Sequence, residues 1–599
     1  MASYGTNHGN YELFGDEAMI RCRDHKTPYM IDPWEYLGPK RRKLLDESWS
    51  GLFRKHILSE LPVEKIAACY TDGFGRPTKE IYAALGALIL QQMHDLTDEE
   101  TVFQYSFNLQ WHYALDIPGE SDEAKYLCNK TLWTLRHLVA QKGLDRELFN
   151  ATTETLAKVF KVDTSKQRLD SVHIRSNMRK LGRICIFSQS IHNFLVNLKR
   201  QRRSAFDSIE KELIDRYLTE KSLGCFSLVK PSEAAKTLEM VSQDLFSLVQ
   251  RFRKDKQVKS MTTFGVLLRV LKDQCDIAGT DDSSVKLKDP KKVLSSSLQN
   301  PSDPDAGYDA HKGQGYQVQA METYDDSPED DTQEKTLNLI THVDIEPANV
   351  SDVHALIPAV ESTQERGLAP EVVLADSLYG SDENQEKAQE MGVEVVSPAM
   401  GTTKEESFSL ADFSQTEKGK ITACPQGYAP VKSKIGKKGK MSVAFASEHC
   451  HTCPFREQCP VKAGKKNHYL HFDLKALRLA GRRAREHTPE FKDKYRWRSG
   501  IEATFSEMDR KTGIKRLRVR GMAAVGYCAL LKAIGINIFR AAKVMRVFTT
   551  LITTSGAVLD SSIYNIFTVK ELFSRSMRLI SRFSNTAPVN SPYVLCAAA

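Results

Sequence analysis

Residues Val372 to Asn384 read VVLADSLYGSDEN, and the reading of this stretch decides the fold. Val372, Val373 and Leu374 are a short unbroken apolar run, the pattern of a strand covered on both faces. Asp376 follows at its carboxyl end, before a turn-forming SLYGSDEN. In an open α/β sheet the carboxyl ends of strands are where ligands bind. An Asp in that place also serves as an ordinary turn or cap residue. The rest of the chain must therefore supply partners for it.

Upstream, KVFKVDTSKQRLDSVHIRSNM (158–178) has Val162, Leu169, Val172 and Ile174 marking an extended segment, with Asp170 in its middle and a turn-prone Ser-Asn pair behind. His173 lies three residues on. An odd offset along a strand points it to the opposite face, so it is expected to pack and not to bind a ligand. GYQVQAMET (315–323) and LNLITHVDIEPA (337–348) read as two strands of a long hairpin, joined through the acidic DDSPEDDTQEK. HALIPAVESTQERG then predicts a helix leading to the opening strand.

Between Asp170 and that hairpin, FDSIEKELIDRYL, TLEMVSQDLFSLVQRFRK and TFGVLLRVLKDQ each show amphipathic helical spacing, the signature of an inserted helical subdomain. SSSLQNPSDPDAGYDAHKGQG (295–315) reads as loop. Residues 79–140 are helical too: Ile81, Leu85, Leu88 and Ile89 share a face, Thr97 with Glu100 forms a capping box, and NKTLWTLRHLVAQKG runs to Gly143. The class is thus α/β, a mixed-sheet core behind an all-α amino-terminal domain. The expected boundaries are 1–150 for the helical domain and 160–545 for the core. The core is interrupted by a helical insertion (about 187–295) and a Cys-containing one (about 405–468), and 546–599 is a tail.

Downstream, Tyr495 to Gly521 read YRWRSGIEATFSEMDRKTGIKRLRVRG. On one continuous helix Tyr495, Arg498 and Glu502 fall at about 0°, −60° and −20°, a single stripe of phenol, guanidinium and carboxylate. The whole chain of 599 residues has a net charge of +8, yet residues 475–520 alone hold fifteen Lys/Arg against six Asp/Glu. Such concentration is the footprint of a polyanion, nucleic acid above all, although a solvated helix face gives the same pattern. Three carboxylates, Asp170, Asp376 and Glu502, converging beside this surface would repel one another unless hard divalent cations bind, and Mg²⁺ prefers such oxygen ligands.

RLDSVHIRSNM, VVLADSLYGSDEN and YRWRSGIEATFSEM, in this order, resemble the three acidic motifs of the DDE transposases of bacterial insertion sequences. The third is similar to the Y-x2-R-x3-E signature of one branch. Residues 45–140 are similar to the helical amino-terminal domain of these proteins, and HKGQGYQVQ and CALLKAIGINIFRAA resemble further landmarks. The resemblance implies an RNase H-like core in which Asp170, Asp376 and Glu502 bind Mg²⁺ or Mn²⁺. Tyr495 and Arg498 become contacts to transposon-end DNA, with Arg510, Lys511, Arg516 and Arg518 extending the DNA surface. The implied partners are terminal inverted repeats and target DNA, bound by a homodimer. The implied reaction is hydrolysis at the transposon end followed by attack of the freed 3′-hydroxyl on target DNA. A nuclease without strand transfer and a catalytically silent DNA-binding regulator are the alternatives. The signature's Lys, seven residues after the Glu, is here Asp509; Arg510 is the better-placed substitute, and Asp509 is free to pair with Arg498.

Cys424, Cys450, Cys453 and Cys459 follow C-x25-C-x2-C-x5-C. The CHTC knuckle could hold a structural zinc, with His451 as a substitute ligand, but the spacing is loose and one knuckle is missing, so plain reduced thiols are the competing reading. The remaining cysteines are scattered, which argues for a reducing compartment. No basic-then-apolar leader opens the chain and no membrane partner is expected, so DNA in the bacterial cytoplasm is the setting. The terminal CAAA at Cys596 formally matches a prenylation box without the basic or second-lipid signal such an anchor needs.

Overall fold

The structure, a computed structural model, describes residues 19–71, 76–218, 229–278, 284–327, 335–401, 408–416, 419–436 and 439–554. The expected tail beyond 554, Cys596 included, lies outside them, as does most of the acidic hairpin connection. The chain divides into two compact units, Met1–Ala542 and Lys543–Ala599, and the fold below is that of the first.

Its amino-terminal region is helical. Helix α1 (Ile81–Met93) is buried along its whole length, α2 (Asp98–Phe107) opens on the Thr97–Glu100 capping box, and α3 (Asn129–Gln141) and α4 (Leu144–Phe160) follow. A buried carboxylate, Asp116, knits this region by accepting hydrogen bonds from Trp34 Nε1 (3.0 Å), Arg54 Nε (3.0 Å) and Tyr29 (2.8 Å).

The central sheet is mixed. Strand β1 (Lys166–Arg175) lies in the middle. On one side it pairs antiparallel with β3 (Gly313–Thr323), whose outer edge is shared by β2 (Gly307–Asp309) and β4 (Ile340–Pro347). On the other side β1 pairs parallel with β5 (Val372–Ala375), which pairs parallel with β6 (Glu394–Val396). The predicted loop 295–315 therefore ends in a strand, β2, because Gly307 to Asp309 find an edge to pair with.

Alternation along the strands divides the two faces. Leu169, Met321, Val373 and Ala375 face α8 (Leu356–Glu365). Leu374, Val396 and Tyr324 face the other way, against Phe491, Tyr495 and Trp497. Both faces are covered, which is why β5 reads as an unbroken apolar run.

Two insertions interrupt this core. The first has its own apolar core and is built on α5 (Arg183–Gln201), α6 (Ala234–Phe252) and α7 (Thr262–Gln274), closed by a small hairpin, Cys275–Ala278 with Ser284–Leu287. The second holds a four-stranded antiparallel sheet of β7 (Lys432–Ile435), β8 (Met441–Ala446), β9 (Lys462–Ala463) and β10 (Asn467–Phe472). Between β5 and β6 runs α9 (Asp382–Glu390). The basic segment follows as α10 (Leu474–Glu486), α11 (Pro489–Tyr495), a 3-10 turn (Arg496–Ser499) and α12 (Gly500–Thr512), and α13 (Met522–Thr554) ends the described chain. By length and composition α13 could cross a membrane. Lys532 and Arg540 interrupt its apolar run, and both are buried in ion pairs.

Candidate active site

Asp170 and Asp376 come from strands that run side by side. Leu169 stands opposite Ala375 in the last pair of the parallel β1–β5 register, so Asp170 and Asp376 are each the residue that follows that pair. Both point to the face covered by α11 and α12. The parallel pairing of β1 with β5 is what puts these two acids on neighbouring segments.

The third acid arrives through Arg498. Its Nη2 donates to Asp170 Oδ2 at 2.5 Å and its Nη1 to Glu502 Oε1 at 2.7 Å. One guanidinium thus bridges two carboxylates 332 positions apart in the sequence, Asp170 and Glu502. Arg498 is mostly enclosed, with 18% of its side chain exposed, whereas Glu502 is 65% exposed. Among the described residues no three His, Cys, Asp or Glu side chains stand close enough to share one ion. The carboxylates of Asp170, Asp376 and Glu502 are hard oxygen donors of the kind Mg²⁺ takes, but the three are not gathered at one point.

The electrostatics describe a site short of positive charge. Burial pushes the Asp170 carboxyl above the usual carboxylate range; Arg498 opposes this, while Asp376 and Asp352 add to it. Asp352 was missed by the sequence reading. It lies in a 3-10 turn five residues beyond β4 and accepts from Gln319 Nε2 (2.7 Å). Burial also raises the Tyr495 phenol, against Arg498 and with Asp376 and Asp170, so it remains protonated at neutral pH and is a poor nucleophile.

Several expectations about the basic segment need correction. Tyr495, Arg498 and Glu502 do not share one straight helix: α11 stops at Tyr495 and a 3-10 turn intervenes before α12. Tyr495 stacks on Phe491, with ring centroids 5.5 Å apart. Asp509 does not pair with Arg498; its Oδ1 accepts from the Lys515 backbone N–H (3.2 Å), because Arg498 is already taken by Asp170 and Glu502. Lys511 is held by Glu507 (2.8 Å), and Arg518 makes a forked pair with Asp95 (3.0 and 3.2 Å). Arg510 and Arg516 remain exposed. His173 does lie on the opposite face, as its offset predicts; its ring is 3.0 Å from where a Gly315 Cβ would stand.

Behind the site is a second acid–base cluster that sequence reasoning did not find. Glu322 of β3, opposite Arg168 in the β1–β3 register, is buried. It accepts from Arg168 Nε (2.8 Å), Arg540 Nη1 (2.9 Å) and the Thr504 hydroxyl (2.8 Å). Arg168 also donates to the Trp497 carbonyl (2.8 Å), and its guanidinium fills the space that a Cβ at Gly500 would need. Burial pushes Glu322 up, but Arg540 and Arg168 more than offset it, leaving the carboxyl below its ordinary range. The cluster ties the strand of Asp170 to the helix of Glu502. The only sequence signal was its spacing: Arg168 and Thr504 each lie two residues from an acid of the site.

In the second insertion, Cys424, Cys450, Cys453 and Cys459 all line one cavity of about 30 Å³. None is in a disulfide. Burial raises the Cys450 and Cys459 thiols, and the neighbouring sulfurs add to the effect. His449 lines the cavity as well. His451, expected as a substitute ligand, instead meets His468 edge-on at 5.0 Å.

Two family models match the chain. The family described as "Transposase DDE domain" matches residues 423–542, a span that includes Glu502 and all four clustered cysteines. The family described as "Transposase domain (DUF772)" matches residues 47–138, the helical amino-terminal region. No protein of curated function matches.

Proposed function

We propose, for a chain that belongs to the DDE transposases of insertion-sequence type, that Asp170, Asp376 and Glu502 are the acids with which it cuts transposon-end DNA and joins the end to a target. The observation that supports this reading is the Arg498 bridge, which links Asp170 of the first acidic motif to Glu502 of the third. The sheet supports an RNase H-like core: strand order β4-β3-β1-β5-β6, three antiparallel members followed by two parallel ones.

Mg²⁺ or Mn²⁺ held by Asp170, Asp376 and Glu502 would neutralise charge on the scissile phosphate and lower the pKa of attacking water. The chain's own groups do the rest. Arg498 holds Glu502 near Asp170 and screens the crowded acids until cations and DNA arrive. Tyr495, protonated, positions DNA by donating a hydrogen bond and does not attack it. Arg510 and Arg516 contact phosphates. A homodimer pairs the two ends, and the DNA acted on is cytoplasmic.

The test is cleavage and strand transfer on DNA carrying the repeats that flank the gene. Asp376→Asn is expected to bind end DNA as the parent does while cutting none of it. Joined products with the parent protein distinguish a transposase from a simple nuclease. Unaltered cleavage in Asp376→Asn, or a covalent DNA adduct on Tyr495, would sink the reading.

A further inference from the structure

The second insertion has a weak core and an unexplained feature at its centre. Between 408 and 472 the chain buries only a handful of apolar side chains, chiefly Phe413, Ile421, Val443, Phe445, Val461, Leu470 and Phe472. Units of this size have little core to hold them, and a disulfide or a structural metal is a common staple. Disulfides are absent among the described cysteines.

Three separate segments deliver four sulfurs to one cavity. Cys424 heads a tight turn in which the Gly427 N–H donates to the Cys424 carbonyl (2.8 Å) and the Cys424 N–H to the Tyr428 carbonyl (2.9 Å). Gly427 has φ +85°, a conformation that suits glycine and lets the turn close. Cys450 lies in the short helix Ser447–His451 that follows β8. Cys453 and Cys459 flank a loop fixed by the Arg456 N–H on the Cys453 carbonyl (3.2 Å) and by Arg456 Nη1 on the Val461 carbonyl (2.7 Å). Phe408, Phe445 and Phe455 complete the wall. An apolar wall around four soft donors excludes competing water.

We infer that Cys424, Cys450, Cys453 and Cys459 bind one structural zinc ion that staples this insertion, whose apolar core also takes in Leu477 of α10. Tetrahedral coordination by four thiolates suits Zn²⁺, at about 2.3 Å per Zn–S bond. Binding draws the thiols inward from the cavity wall, since no three of them already share a point. Zn²⁺ enters and the thiol protons leave to solvent, with no change of oxidation state. Iron is the other metal that takes four sulfurs, and its colour separates it from zinc. The site does no chemistry on DNA, so its presence is independent of the reading proposed above.

The experiment uses the full chain, purified without chelator. Elemental analysis is expected to find about one zinc per chain and negligible iron, with the zinc released by a thiol-modifying mercurial. Cys453→Ser is expected to lower zinc at least several-fold. Because that variant could fail to fold, the parent chain is also alkylated with and without prior chelation and read by mass spectrometry. Chelation is expected to expose Cys424, Cys450, Cys453 and Cys459 together, with the exposed Cys69 reacting equally in both. Zinc-free protein that takes up none on incubation with zinc salt, or the four thiols reacting identically with and without chelator, overturns the inference. So does oxidation of these cysteines to disulfides in the purified chain.

Discussion

Two carboxylate–guanidinium clusters sit two residues apart on β1, built from the same chemistry and serving opposite ends. At Arg168 the acid is Glu322: buried, fully hydrogen-bonded and held below its ordinary pKa by two arginines. At Asp170 the arginine is Arg498: one cation serves several acids, and the Asp170 carboxyl sits above its ordinary range. The first cluster is balanced and closed. The second is crowded with negative charge and open to solvent at Glu502. Charge balance separates the two clusters, and the unbalanced one is where the acids proposed for catalysis lie.

The largest test of this contrast is catalytic. Asp170→Asn and Asp376→Asn are each expected to reduce end cleavage by more than about 10³-fold, since members of a catalytic unit fail together. Their urea unfolding midpoints should stay at or above the parent's, because each change relieves repulsion. A fall in both activity and midpoint would mean that these acids are structural. Glu322→Ala is expected to do the reverse, costing about 3–5 kcal/mol in urea unfolding by stranding two buried guanidinium groups. If that variant unfolds like the parent, the two clusters are not different in kind.

How much of this was legible in the sequence follows from the range of each interaction. Strand β5, the hairpin partners β3 and β4, helix α8 and the Thr97 capping box were readable because their signals are local: an apolar run, an alternation, a cap. Asp170, Asp376 and Glu502 were picked out by strand ends, a basic neighbourhood and a resemblance. Their convergence was an expectation that no local signal carries, since it depends on the order in which strands pair. Glu322 was invisible for a sharper reason. Inside an apolar-looking GYQVQAMET it differs from any exposed strand acid only through Arg168 and Arg540, one from each side in sequence. Asp352 was hidden likewise in an ordinary turn. The broken helix at Arg496–Ser499 defeats a periodicity argument, which assumes an unbroken 100° step.

His342 supplies the missing third case, a buried titratable group with no counter-charge. On β4 opposite Met321, its Nδ1 lacks a partner, and burial, with Arg146 and Arg366 nearby, pushes its pKa down to about 3. It is neutral in the fold, whereas the unfolded chain takes up a proton below about 6.5. Its contribution to stability is therefore full above that value and is lost as pH falls towards about 3. His342→Gln is expected to flatten stability against pH between about 6 and 4 by up to ~1.4 kcal/mol per pH unit, measured by urea midpoints. Parallel curves for parent and variant would show that the histidine titrates alike in both states.

The smallest effects concern the basic surface, where the same contrast between engaged and open charge applies side chain by side chain. Arg518 is committed to Asp95, which also holds Lys532 (2.7 Å), and Lys511 to Glu507 and the face of Phe539, 4.8 Å from its ring centroid. Arg510 and Arg516 are exposed on the same stretch. Each lysine or arginine that neutralises a phosphate contributes about 0.9 to the slope of log affinity against log salt. Arg510→Ala and Arg516→Ala are accordingly expected to lower that slope by roughly one apiece on transposon-end DNA, with little change in unfolding. Lys511→Ala and Arg518→Ala should leave the slope near the parent's, and Arg518→Ala should unfold earlier because Asp95 loses its forked partner. If Arg518→Ala lowers the slope as much as Arg510→Ala does, the pairing with Asp95 gives way when DNA binds. Net charge, and not the state of each side chain in the fold, would then set affinity.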